Sequence, residues 1–267
     1  MNDKLFFKER WFSDPINFEI DNNVEEILHF HNKTVSMVNT DTTKTKPIVD
    51  PNFLAQIAKN TGIKADHSPF FYKKTVTLPK KDHESIGSYN KFSKQSISLS
   101  DLGNLLVKSF VRNDKDFFRR YSSADDLYPL IILLYVFEKQ DGLDQGVYVV
   151  ETNTGKLLCI KDKMTEKIIE SLTLNSKGDH PLPLAKYAIG FALNLRTTVI
   201  KEGIRGYRNG LIEIGAACQA FKESCHEMDF SEYCSFLFND FVAGFESNLN
   251  IRNLPLILVQ WFGKKGN

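Results

Sequence analysis

Residues 130–161 read LIILLYVFEKQDGLDQGVYVVETNTGKLLCIK. Leu130 to Phe137 is an unbroken apolar run of strand length, the pattern of a buried strand. Gly146 to Glu151 and Lys156 to Lys161 flank Asn153-Thr154-Gly155, a hairpin signal. Outward from this core, Leu99, Leu102, Leu106 and Phe110 recur at helical spacing, with Ser100 read as the N-cap. Met164 to Leu172 reads as a helix and Ile189 to Ile200 as a long strand. Leu211, Ile214, Cys218, Phe221 and Cys225 mark one face of a long helix, and Leu254 to Phe262 reads as the last strand. Mixed strands and helices with a hairpin between them point to an α+β sheet packed by helices, not to a doubly wound fold.

The N-terminal third is less regular. Val24 to Asn32 reads as a helix with Val24, Ile27, Leu28 and His31 on one side. Thr40 to Lys46 reads as a loop, Pro51 to Asn60 as a short helix and Tyr72 to Leu78 as a β-prone piece. The expected organisation is an extension over 1–85 packing on a core over 86–267. A 42% hydrophobic and 25% charged composition suits a globular protein, and a net charge of +1 argues against a nucleic-acid partner. The charged first residues do not resemble a signal peptide, and the longest apolar run, Leu127 to Phe137, holds Pro129 and is too short to span a bilayer. A cytoplasmic protein away from membranes is expected, with Cys159, Cys218, Cys225 and Cys234 as reduced thiols. The six histidines lack ligand spacing, so no metal site is expected. No GxGxxG, P-loop, HExxH or GxSxG motif is present.

Four segments, in order, resemble the SagB/McbC-type azoline dehydrogenases, a branch of the flavin nitroreductase superfamily. Ser88-Tyr-Asn-Lys-Phe92, followed by Ile97 to Leu106, resembles an Arg-Arg-Ser-x-Arg-x-Phe segment and the helix after it. Arg119-Arg-Tyr-Ser-Ser-Ala-Asp-Asp-Leu-Tyr-Pro129 resembles the flavin loop RR-x-PSAGGLYP. Lys201-Glu-Gly-Ile-Arg-Gly-Tyr-Arg208 is similar to KYGERGYR. Phe241-Val-Ala-Gly-Phe245 and Leu254 to Gly263 resemble the family's Gly-containing turn, with Gly244, and its closing strand. His29 to Thr34 is similar to a YHEATK-like stretch found ahead of this domain.

The resemblance implies a nitroreductase-like fold, with a central, mostly antiparallel sheet, and a homodimer with FMN at the subunit interface. It implies oxidation of thiazolines or oxazolines in a precursor peptide to thiazoles or oxazoles, beside a YcaO-type cyclodehydratase and an E1-like peptide-binding protein. Lys201 and Glu202 fall where the family has its proton-handling Lys-Tyr pair. A free lysine has a pKa of ~10.4, and a neighbouring carboxylate would keep it protonated, so either residue is a candidate base. The expected cofactor contacts are Ser88, Asn90, Arg120, Ser122, Ser123, Ala124, Tyr128, Arg205, Arg208 and Gly244. Ile86, Gly87 and Asn90 stand where the family has arginines in its phosphate segment, so positive charge must come from elsewhere. Arg205 and Arg208 open a helix, whose free N–H groups favour an anion. Asp125 and Asp126 replace loop glycines; aspartate tolerates left-handed backbone, but its charge disfavours an anionic reduced flavin. Three readings follow: a working FMN-dependent dehydrogenase, a non-catalytic scaffold or peptide-binding subunit of the same complex, and a flavin oxidoreductase with another substrate.

Overall fold

The computed structural model describes residues 15–34, 74, 76–79, 86–87, 91–113, 115, 117–173 and 183–266. The chain divides into two compact units, one of residues 1–37 with 86–267 and one of 38–85; every element below belongs to the first. The loop expected over 40–46, the helix over 51–60 and most of the β-prone piece over 72–78 lie outside the described residues.

Six strands form one antiparallel sheet: β1 (Leu130–Val136), β2 (Gly146–Glu151), β3 (Lys156–Lys161), β4 (Tyr187–Leu193), β5 (Phe230–Ser235) and β6 (Leu256–Lys264), in the order β3-β2-β1-β4-β6-β5. β1 pairs with β2 and β4 at once, Leu133 facing Val149 on one side and Gly190 on the other. Its continuous apolar run has a simple cause. Ile132, Leu134 and Val136 enter one hydrophobic core, while Leu133, Tyr135 and Phe137 enter a second on the opposite face. The β2–β3 hairpin turns where expected. Gly155 adopts φ +69°, and the Glu151 carboxylate accepts from the N–H groups of Asn153 and Thr154.

Helices α1 (Pro15–Asn32), α2 (Leu99–Phe110), α4 (Leu195–Glu202) and α5 (Ile204–Glu227) border the first core; α3 (Glu166–Leu172) and α6 (Asp240–Glu246) border the second. α5 buries Tyr207, Gly210, Ile214, Ala217, Phe221 and Cys225 at helical spacing. Phe221 stacks on Phe110 and meets Phe262 edge-on, tying α5 to α2 and β6. Val24, Ile27 and His31 are buried on α1, and the His31 Nδ1 lies 3.0 Å from the Tyr207 hydroxyl of α5.

Four elements differ from the sequence reading. The strand expected over 189–200 ends at Leu193, because the Asn194 side chain accepts from Thr197 N–H (3.2 Å) and starts α4. The β-branched residues after it suit a strand by propensity, but the cap overrides them. α2 is capped by Ser98, whose Oγ accepts from Asp101 N–H at 3.0 Å, and not by Ser100. α1 begins at Pro15, nine residues before the expected start, with proline in a first turn that needs no donor. β5 escapes the periodicity because Ser231 and Glu232 are buried polar residues in it.

Candidate functional site

The segment after α2 enters the sheet through a tight loop. A 3-10 turn over Ala124–Asp126 is followed by Tyr128, and both Asp126 (φ +54°) and Tyr128 (φ +45°) are left-handed. Each such residue costs roughly 1–2 kcal/mol relative to right-handed backbone, so the shape must be held. Ser123 holds it. Its Oγ accepts from Tyr128 N–H (2.9 Å) and donates to Glu213 Oε2 of α5 (2.7 Å). The Tyr128 ring lies under the Arg119 guanidinium (4.2 Å) and against Tyr121. The Asp126 side of this loop is exposed to solvent.

Opposite the loop, α4 turns into α5 at Gly203 (φ +55°). Gly206 then packs against the backbone of α4: a Cβ there would sit 1.9 Å from the Thr198 carbonyl oxygen. Only glycine allows that approach. It brings Lys201, Glu202, Asn209 and Glu213 to one cleft with Ala124, Leu127 and Pro129. The space inside is about 20 Å³, about the room of one water.

The charges around the cleft differ in their partners. Glu202 accepts from Asn209 Nδ2 at 2.6 Å and lies 3.8 Å from Arg205 Nε. Arg205 is 78% exposed, and Arg208 is exposed one turn further. α5 has no side-chain cap and no acidic residue in its first turn, so its leading N–H groups and these two arginines favour an anion. Glu213 is 3% exposed. Burial pushes its carboxyl up to about 7, against the opposing pull of the Ser123 hydrogen bond, the Arg119 charge and the Ala124 backbone N–H. Its Oε1 has no hydrogen-bond partner among the described residues.

Of the residues expected from sequence, Lys201, Glu202 and Ala124 line the cleft, Ser123 supports it, and Ser122 is exposed on the same loop. Tyr128 packs behind the loop with Arg119 and Tyr121. Ser88 and Asn90 lie outside the described residues. Arg120 is held elsewhere, in a two-pronged contact with Glu227 (2.9 and 2.5 Å) near the far end of α5. Gly244 is buried in α6, where a Cβ would meet Ile251 at 3.1 Å, so it serves packing beside the second core. Glu213 was not singled out from sequence. Its signal was there: an acidic residue among Gly210, Ile214 and Ala217 on the buried face of a helix.

The chain matches no protein-family model and no curated protein. Among solved structures it is similar to a chain of the E. coli microcin synthetase McbBCD complex with truncated pro-MccB17 bound, at TM-score 0.75 and 19% identity over 92% of this chain and 94% of that one. It is also similar to a candidate nitroreductase from Ralstonia eutropha, at TM-score 0.55 and 15% identity over 72% of this chain and 90% of that one. A candidate nitroreductase from Anabaena variabilis aligns at TM-score 0.56 and 16% identity over 67% of this chain and 36% of that one. The fold is therefore nitroreductase-like, an antiparallel sheet with helices on both faces. Among the described residues, no helix is long and apolar enough to cross a membrane.

Proposed function

We propose that this chain is the FMN-dependent dehydrogenase of a peptide-modifying synthetase, oxidising thiazolines or oxazolines in a precursor peptide to thiazoles or oxazoles. The observation that carries this reading is convergence. The loop at 122–129 and the Lys201–Glu202 pair, more than seventy positions apart, line one cleft beside the open end of α5. The likeness to a chain from a synthetase complex with a pro-peptide bound supports a peptide substrate and partner subunits, here a YcaO-type cyclodehydratase and an E1-like peptide-binding protein.

The residues present fit the cofactor. The uncapped start of α5 with Arg205 and Arg208 would hold a phosphate, and the 122–129 loop with Leu127 would border the ring at a site that a second copy of the chain would complete. When bound, FMN supplies an acceptor for two electrons. The protein's task is to hold the azoline ring and remove its Cα proton. Lys201 and Glu202 stand at the cleft for that step, and Asn209 fixes the Glu202 carboxylate.

One observation favours the second reading, a non-catalytic subunit of the same complex. Arg120 is engaged by Glu227, and carboxylates of Glu202 and Glu213 line the cleft. Purified protein distinguishes the two. The dehydrogenase is yellow, releases FMN on denaturation and, with its partners, yields peptide lighter by two hydrogens per ring than the cyclodehydrated product. A colourless protein that takes up no FMN at high micromolar concentration leaves the scaffold.

A further inference from the structure

Away from the cleft, α5 and the edge strand β5 bring two thiols into contact. Helical spacing carries Ile214, Cys218, Phe221 and Cys225 of α5 onto the first core. Strand pleat puts Phe230, Glu232 and Cys234 on one face of β5, the face that meets the same core. Cys218 and Cys234 are both half-buried, and their sulfurs share a hydrogen bond at 3.7 Å. Lys222, one turn after Cys218, lies 3.7 Å from the buried Glu232 carboxylate, which also accepts from Gln260 Nε2 at 2.6 Å. The other two cysteines are placed differently. Cys225 is buried in the core, and Cys159 is exposed on β3, at the opposite end of the strand order from β5.

We propose that Cys218 and Cys234 are a redox-active thiol pair, which a hydroperoxide closes into a disulfide that ties α5 to the edge strand β5. Neither residue lines the Lys201–Glu202 cleft, so the pair acts independently of the dehydrogenase reading. Sulfurs already in contact must approach to about 2.05 Å. β5 can yield to that approach, because within the sheet it pairs with β6 alone. The two thiols have separate roles. The shared hydrogen bond lowers the Cys218 thiol, with Lys222 helping and burial and Glu232 opposing, and it raises the Cys234 thiol. Cys218 is the nucleophile and Cys234 the resolving thiol. Burial raises the Cys225 thiol well above its ordinary value and keeps it inert. The chemistry balances in two steps. The Cys218 thiolate attacks one oxygen of the hydroperoxide, the O–O bond breaks, an alcohol (water, from hydrogen peroxide) leaves with the thiol proton, and a sulfenic acid remains. The Cys234 sulfur then attacks the Cys218 sulfur, the S–O bond breaks, the S–S bond forms, and water leaves with the second thiol proton. Two thiols lose two electrons and two protons, and the hydroperoxide takes both.

The test treats the full, folded and fully reduced chain with hydrogen peroxide, blocks the remaining thiols by alkylation and reads intact mass and peptide maps. The chain has four cysteines. The wild type should lose two thiols and two hydrogens, with Cys218 cross-linked to Cys234 in the same chain, and dithiothreitol should restore both thiols. Cys159→Ser should form the same cross-link. Cys234→Ser should stop at a sulfenic acid on Cys218, trapped by dimedone, and Cys218→Ser should leave Cys234 as a thiol. A folded wild type that keeps both Cys218 and Cys234 alkylatable while the exposed Cys159 is oxidised overturns the pair. So does a cross-link that joins Cys159 between chains in its place, or one between Cys218 and Cys234 that forms only in urea. Sulfenic acid on Cys234 in the Cys218→Ser chain overturns the division of roles. If either serine variant does not fold, the wild-type and Cys159→Ser maps decide.

Discussion

The two ends of α5 use charge in opposite ways. At the C-terminal end, Glu223 and Glu227 stand where the helix dipole disfavours anions, and Arg120 and Lys108 answer them. The Arg120 hydrogen bonds, then that of Lys108, hold the Glu227 carboxyl down at about 2. These charges satisfy one another within the chain. At the N-terminal end the first turn of the helix has no acidic residue of its own and no side-chain cap, Glu202 of α4 lies 3.8 Å from an Arg205 that is still 78% exposed, and the backbone is pressed against α4 through Gly206. An arginine whose partners are already in the fold maintains structure. Arg205 and Arg208, exposed beside a helix start without a side-chain cap, are suited to a ligand. Sequence placed Arg120, Arg205 and Arg208 in one class, and the helix separates them.

The sharpest way to break this comparison is to attack the N-terminal end, where the proposed site lies. Lys201→Ala with Glu202→Gln should lower azole formation by roughly 10²–10⁴-fold while FMN stays bound, so that azoline peptide, lighter by water only, accumulates. Unchanged azole yield in the double variant would take the proton step away from this pair. Next in size, Gly206→Ala should destabilise the fold by about 3 kcal/mol, because the added Cβ meets a backbone carbonyl that cannot give way. Urea unfolding measures it, and a loss under 1 kcal/mol would mean that α4 and α5 separate cheaply.

The third effect depends on pH. The Glu213 carboxyl is raised from 4.5 to about 7 in the folded protein. Between those values the unfolded chain loses the proton that the native chain keeps, so stability is greatest below about 4.5 and falls as pH rises to 7. The loss is about 3 kcal/mol. Glu213→Gln should remove it: wild type and variant should show similar relative stability at pH 5, with the variant gaining by pH 8. A difference in melting temperature that does not change with pH would contradict the buried, protonated carboxyl.

The smallest effects compare the arginines directly. Arg205→Ala with Arg208→Ala should weaken FMN binding about 10- to 100-fold, a few kcal/mol of charge-assisted contact. Arg120→Ala should leave FMN affinity unchanged and cost up to about 1 kcal/mol of stability, as expected for an exposed ion pair. Calorimetric titration with FMN reads both, and the reverse ranking would return Arg120 to the cofactor.

What the sequence determined by itself is local. The apolar run of β1, the Asn153-Thr154-Gly155 hairpin and the buried stripe of α5 are encoded by neighbours within a few positions, because strand pleat and helix turn repeat over that distance. Motif order singled out Lys201, Glu202 and the 122–129 loop, and Lys201, Glu202, Ala124, Leu127 and Pro129 line one cleft. Tertiary structure decided the rest. Whether Leu195 to Ile200 became strand or helix turned on a side-chain cap outcompeting β-propensity. That Arg120 is held away from the cleft depended on Glu227, 107 positions from it. Glu213 became a titrating group only because Ser123 and the loop close over it, burying a carboxylate that an isolated helix would leave in water. Burial and ion pairing are set by residues far apart in the chain, and no local pattern carries that information.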